Sequence, residues 1–329
     1  MVALSHDDQV FADLDKQLNS HDVPLAQRFR ALFTLKSLGG HRAIEVIGRG
    51  FDGESALLGH ELAYCLGQLK DPKALPILTK VLEDDNEHPM VRHEAAEAMG
   101  AIGCDEALPV LRKYLSHPNP AIRETCEIAL DKVVFDNSDE GRKQADNQYP
   151  CIDPAPAAAA PTHSPLVASA HSAALAPASA NLSIAELERQ LMDTSLSLFD
   201  RYRAMFALRN VGDREAVLAL ARGFEDDSAL FRHEIAFVFG QLSSEHSVPA
   251  LVDVLRRPHE EDMVRHEAAE ALGGIATDEC LPVLREFAAR DDVPRVVRES
   301  CVVALDMYEY ERSGEFVPLP TLSSATAAA

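Results

Sequence analysis

Apolar and small residues recur along this chain three and four positions apart, in segments broken by polar turns that carry Gly, Asp, Asn or Pro. That spacing predicts amphipathic helices packed on helices. Alanine and leucine are abundant and tryptophan is absent, which suits close helix-on-helix contact rather than a sheet. Many segments open on a proline, as in Leu108-Pro109-Val110-Leu111. Proline is tolerated in a first helical turn because its missing N–H would be unpaired there anyway.

Comparing the chain with itself reveals two periods. Leu57-Leu58-Gly59-His60-Glu61-Leu62-Ala63 returns as Met90-Val91-Arg92-His93-Glu94-Ala95-Ala96, with 33 residues between the histidines. Leu230-Phe231-Arg232-His233-Glu234-Ile235-Ala236 and Met263-Val264-Arg265-His266-Glu267-Ala268-Ala269 repeat that spacing. The longer period, 173 residues, relates His60 to His233, His93 to His266, and Arg28-Phe29-Arg30-Ala31 to Arg201-Tyr202-Arg203-Ala204. Weaker copies, Ile122-Arg123-Glu124-Thr125-Cys126 and Val297-Arg298-Glu299-Ser300-Cys301, close each half. Four units per half follow. The expected fold is all-α: a HEAT-like (PBS-lyase-type) helical-repeat solenoid in two pseudo-symmetric halves, each unit burying its apolar face only against its neighbours.

The boundaries expected from composition are an N-terminal half over 1–136, a flexible Ala/Pro-rich linker over 137–181, a C-terminal half over 182–313 and a disordered tail over 314–329. Ser183 and Glu186 form a predicted capping box where order resumes.

Charge narrows the partners. A formal net charge of -22 repels a nucleic-acid backbone and an anionic membrane, and suits a cationic substrate or basic protein. No apolar run approaches membrane-spanning length, and the N-terminus lacks a basic and apolar leader. The six cysteines include no C-x-x-C pair and read as reduced core residues. The cytosol is the expected compartment, with the nucleus also open to such a chain.

Within the frame Arg-x-x-Ala-Ala-x-Ala-Leu-Gly, the two positions after Arg are expected to point away from the core of the unit and to vary freely. Here they hold His-Glu in four units. Chance would supply roughly one His-Glu dipeptide in the whole chain, and His259-Glu260, out of register, accounts for it. Adjacent helices of such a stack lie about 8–10 Å apart, so imidazoles at equivalent positions can meet at one metal ion. His60 pairs with His93, and His233 with His266. Each brings a glutamate about 100° around its helix: Glu61, Glu94, Glu234 and Glu267. Two histidines and a carboxylate with open positions make the ligand set of non-haem Fe(II) oxygenases. Two such sets facing across a pseudo-twofold axis give a dinuclear site, and two divalent ions cancel the charge of four glutamates. His41, His88, His117, His163, His171, His246 and His259 are assigned to turns or the linker. Met90 and Met263 either line the pocket or fill the core, and Arg92, Arg232 and Arg265 belong to the packing frame.

On these residues the chain resembles the deoxyhypusine hydroxylase (deoxyhypusine monooxygenase) family. The likeness covers two four-unit halves, a central linker, and His-Glu in the middle two units of each half. It implies a monooxygenase with two Fe(II) ions per chain and O2 as co-substrate. The implied substrate is the aminobutyl side chain of a deoxyhypusine residue in a eukaryotic translation factor, converted to hypusine. It further implies that His60, Glu61, His93, Glu94, His233, Glu234, His266 and Glu267 form the metal centre. Glu94 and Glu267 are favoured as firm ligands, and Glu61 and Glu234 as lying nearer the cationic substrate. A monomer is compatible with that picture. Two other readings stay open on the residues alone: a hydrolase using two Zn or Mn ions, and a non-enzymatic HEAT scaffold whose concave face binds a basic protein.

Overall fold

The computed structural model describes residues 6–143, 149–158 and 182–313. Sixteen α-helices are found among them, and they alternate between an outer and an inner layer. The N-terminal half contains α1 (His6–Leu18), α2 (Leu25–Leu38), α3 (Gly40–Gly48), α4 (Ala56–Gln68), α5 (Leu75–Glu83), α6 (Pro89–Ile102), α7 (Leu108–Tyr114) and α8 (Pro120–Asp136). The C-terminal half contains α9 (Ile184–Met192), α10 (Leu198–Val211), α11 (Arg214–Ala221), α12 (Ala229–Leu242), α13 (Val248–Arg256), α14 (Asp262–Ile275), α15 (Cys280–Ala288) and α16 (Arg295–Ser313). Each consecutive pair is one repeat, so the expected eight units are present. The capping box at Ser183 and Glu186 opens α9.

Even-numbered helices stack side by side to form the inner layer, with α4 on α6, α6 on α8, α12 on α14 and α14 on α16. The small residues of the repeat frame set how close they come. A methyl group on Gly67 would stand 2.7 Å from the Ala98 Cα, and one on Gly273 would stand 2.7 Å from the Ala304 Cα. The neighbouring backbones therefore touch where glycine stands.

The arginine of the frame has a definite job. Arg28, Arg92, Arg201 and Arg265 are each buried, and each donates its Nε–H to a carbonyl ten residues back: Leu18 (2.7 Å), Leu82 (3.0 Å), Leu191 (2.9 Å) and Leu255 (3.1 Å). Those carbonyls lie in the last turns of α1, α5, α9 and α13, where no intrahelical donor remains. α2, α6, α10 and α14 thus each cap their own outer partner. Arg232 departs from the frame expected of it. Its guanidinium donates to the Glu260 carboxylate at 2.6–3.1 Å and to the Asp226 carbonyl at 2.6 Å. That contact also gives the out-of-register Glu260 a structural role.

The two halves meet at both ends and close a ring. α16 packs on α2 and α4, and α8 packs on α10 and α12. Two equivalent hydrogen bonds mark the seams. Ser55, the N-cap of α4, donates its hydroxyl to Glu299 (2.7 Å), and Ser228, the N-cap of α12, donates to Glu124 (2.6 Å). Arg30 adds a two-pronged pair with Asp306 at 2.6 and 2.9 Å.

Composition assigned 137–181 to a flexible linker. Residues 149–158 instead lie against both halves, because specific partners hold them. Gln68 of α4 brackets Ile152, accepting from its N–H (2.8 Å) and donating to its carbonyl (3.3 Å). Arg209 of α10 grips both Asp153 oxygens at 2.7 Å. Ala155 is fully buried, and Ala158 N–H donates to the Arg203 carbonyl (2.8 Å). Most of the remaining expected linker, with Ala159, Ala160 and Pro161, and the tail from 314 onward lie outside the described residues. His41, assigned to a turn, lies within α3 beside Glu45. Met90 and Met263 are buried in the core.

Candidate metal centre

The repeat frame places His60-Glu61 on α4, His93-Glu94 on α6, His233-Glu234 on α12 and His266-Glu267 on α14, all in the middle of inner helices. Within one half these positions lie outside the unit's own core, as expected. In the ring they are not free: the other half covers them. All eight side chains are at least nine-tenths buried.

The four imidazoles form one cluster. Ring centroids lie 5.5 Å apart for His60 and His93, 5.3 Å for His233 and His266, and 4.9–5.7 Å for the pairs between halves that touch. The 173-residue symmetry is carried into the contacts. His60 Nε2 lies 3.2 Å from a Glu94 oxygen, and His233 Nε2 lies 3.5 Å from a Glu267 oxygen, itself 4.0 Å from His266 Nε2. The result is two sets related by the duplication, His60–His93–Glu94 and His233–His266–Glu267. Donor atoms of His233, His266 and Glu267 all lie within 4.8 Å of one another, as do those of His60, His93 and His233.

Glu61 and Glu234 differ from this pair and from each other. Glu61 lies 3.2 Å from His60 Nδ1, which orients that ring so that Nε2 faces Glu94. Glu234 Oε1 has no hydrogen-bond partner although it is buried.

Burial and neighbouring charge set the protonation states. Burial pushes His93 and His266 well below the ordinary histidine range, and repulsion from neighbouring imidazoles adds to it, so both present neutral nitrogens. For His60 burial also opposes the charge, but the attraction of the Glu94 carboxylate and the bond from Nδ1 to Glu61 outweigh it, and His60 is raised well above that range.

Two functional candidates escaped the sequence reading. Glu97 and Glu270 end the pentapeptide His-Glu-Ala-Ala-Glu on α6 and α14, one turn beyond His93 and His266. The Glu270 carboxylate is 3.6 Å from His266 Nδ1, and Glu97 shares a 4.8 Å donor cluster with His93 and Glu94. Burial, with repulsion from the other carboxylates, raises Glu97, Glu234 and Glu270 well above the usual carboxylate range. The identical pentapeptide was the available signal, because an i+4 position shares the histidine's face.

The sets suit divalent cations. Both ring nitrogens of His93, His233 and His266 are buried without a hydrogen-bond partner, as is His60 Nε2. Orphaned nitrogens beside crowded carboxylates are unfavourable unless a cation joins them. Next to them opens a cavity of about 400 Å³. It is lined by His60, His233 and all six glutamates, and walled by Phe33, Tyr64, Phe237 and Tyr149. Tyr64 and Phe237, 173 residues apart, face each other edge-on at 6.1 Å.

Comparison with known proteins agrees with this architecture. HEAT-repeat family models match residues 86–140 and 217–306, and PBS lyase HEAT-like repeat models match 59–84 and 200–226. The chain is 58% identical over 311 residues to a deoxyhypusine hydroxylase of Lentinula edodes, covering 92% of each. It is 48% identical over 309 residues to the Mus musculus protein of that name, covering 94% of this chain and 95% of the other. A solved structure of human deoxyhypusine hydroxylase in complex with glycerol superposes with a TM-score of 0.82 at 48% identity, covering 92% of this chain and 96% of that one. Identity this high over nearly the whole length, in the same ring of repeats, leaves one conclusion: the chain belongs to the deoxyhypusine hydroxylase family of HEAT-repeat enzymes.

Proposed function

We propose that this chain hydroxylates the aminobutyl side chain of a deoxyhypusine residue in a protein, a eukaryotic translation factor, using two Fe(II) ions and O2. The observation that carries the reading is the cluster of four imidazoles with Glu94 and Glu267, two duplicated sets, His60–His93–Glu94 and His233–His266–Glu267, beside one acidic cavity. Two imidazoles and a carboxylate per ion leave positions open for oxygen. Ferrous ions held there would supply the reduction of O2 and the transfer of one oxygen atom to carbon.

The rest falls to the chain. Glu61 fixes the tilt of His60. Glu234, with a carboxylate oxygen lacking any partner, is available to an ammonium group, and a charge-assisted bond there would anchor the substrate amine. Phe33, Tyr64 and Phe237 enclose the methylene chain and keep water from the reacting carbon. Six glutamates crowded on one cavity favour cations there, which suits a polyamine-like side chain.

The test supplies the iron-loaded protein with a deoxyhypusine-bearing substrate protein under isotopically labelled oxygen gas. Mass spectrometry is expected to show one labelled oxygen atom gained per substrate residue. An unchanged substrate, or an oxygen atom taken from water, would overturn the reading.

A further inference from the structure

The cavity sits where the two halves meet, so its wall residues come in pairs 173 positions apart. Tyr64 answers to Phe237, Gln68 to Gln241, Phe33 to Phe206 and Lys36 to Arg209. Two halves alone would offer two equivalent mouths, one beside Lys36 and one beside Arg209. Residues 149–158 remove that equivalence.

On the Arg209 side the strap closes down. Arg209 is fully buried, its guanidinium stacked over Tyr149 (4.2 Å) and Phe206 (4.7 Å) and bound to Asp153 and Gln241. Phe206 beneath it is fully buried as well. Gln241 donates to Cys151 Sγ (2.9 Å), and the strap then leaves along α10 through Ala158 and Arg203. On the Lys36 side the counterpart residues stay open. Phe33 is 39% exposed, and the Lys36 ammonium stands over the rings of Phe33 (5.6 Å) and Tyr64 (5.1 Å). Lys36 itself is half-buried, where its counterpart Arg209 is fully buried.

We propose that the strap gives the cavity a single direction of approach: a cationic alkylamine side chain borne on a protein enters between α2 and α16, past Phe33, Lys36, Tyr64, Gly274 and Met307, and not past Arg209. This rests on the functional reading above and adds to it which of two symmetric routes the substrate takes. The chemistry of the mouth suits such a guest. Phe33 and Tyr64 already hold one alkylammonium group against their ring faces, that of Lys36, and an incoming ammonium can take the same faces. Gly274 keeps the passage wide, since a Cβ there would stand 3.7 Å from the Met307 Cε and a longer side chain would fill the gap. One helical turn deeper than Gly274 lies Glu270, and one turn deeper than Tyr64 lies Glu61. The guest therefore meets Glu61 and Glu270 first. Their counterparts Glu234 and Glu97 form the far wall, under the strap.

The experiment measures binding of a short peptide carrying an aminobutyl-lysine residue to the iron-loaded full chain under nitrogen, and KM and kcat in air. Lys36→Ala removes a like charge from the mouth, so the peptide should bind about threefold tighter or more and KM should fall with kcat unchanged. Gly274→Met should weaken binding about tenfold or more with iron content and melting temperature unchanged. Peptide affinity identical to wild type in both variants would overturn the one-sided mouth. Should Gly274→Met fail to fold, Lys36→Ala, at a half-buried position, decides alone. A wild-type protein that binds iron but neither binds nor hydroxylates the peptide would instead sink the functional reading, and this inference with it.

Discussion

At His93 and His266, burial opposes the charged imidazole first and the neighbouring imidazoles add to it, so both rings offer neutral nitrogens at physiological pH. A metal needs that state, because a protonated nitrogen has no lone pair to give. His93→Ala is expected to lower iron affinity by more than about a hundredfold, beyond the usual effect of losing a group that merely orients a ligand. Its helical circular dichroism should match wild type; full iron content in the variant would refute the ligand role. Glu97 and Glu270 carry a different expectation. Burial opposes the charge of each carboxylate first and its carboxylate neighbours oppose it further, so Glu97→Gln should raise the melting temperature of metal-free protein by roughly 2 °C per kcal/mol of that cost removed. A lower melting temperature would show that Glu97 is balanced by a contact the charge argument omits. The thiols offer a third check. Burial pushes Cys126 and Cys301 up to about 12, and Cys65 well above its ordinary range. Thiolate is the reactive form, so iodoacetamide at mildly alkaline pH should label these three only after unfolding, as peptide mapping can show.

The eight expected repeats are all present because each repeat is a local problem: its period, its capping arginine and its small contact residues lie within one stretch of chain. His60, His93, His233 and His266 were legible for the same reason, since register alone singles them out. Glu97 and Glu270 were not, because a glutamate at i+4 on a helix reads as a solvated face until the second half of the ring covers it. The strap was hidden more deeply. Its Ala/Pro-rich composition carries no periodicity, and its order comes from Gln68 and Arg209, which are 84 and 56 residues away from their partners in sequence. The helices themselves make one sharp contrast. Gly67→Ala and Gly273→Ala force a methyl group into neighbouring backbone and should destabilise by about 1–3 kcal/mol. Gly240→Ala meets Ala271 at an ordinary 3.5 Å, so the better helix propensity should show through, with a gain of up to about 1 kcal/mol in urea unfolding. Equal effects at the three positions would contradict the close approach of α4 to α6 and of α14 to α16.

For the molecule as a whole, the ring brings the two halves of the centre together, and the centre in turn bears on the ring. The halves are joined by the polar contacts Ser55–Glu299, Ser228–Glu124 and Arg30–Asp306 and by ring contacts such as Phe135 on Phe199. Ions shared between α4, α6, α12 and α14 would add to them, because anything bound only by the folded ring stabilises it by mass action, about 2.7 kcal/mol per site at a hundredfold excess over Kd. Chelation should therefore lower the melting temperature and enlarge the hydrodynamic radius; no change in either would uncouple metal from closure. Everything turns on two sets of ligands delivered to one place by a duplicated chain. Metal analysis of protein purified without air, read per chain, tests that most directly. Two iron ions per chain are expected, with a substantial loss in His93→Ala, whereas a native chain holding no transition metal, or holding two zinc ions and showing no hydroxylation, would contradict it.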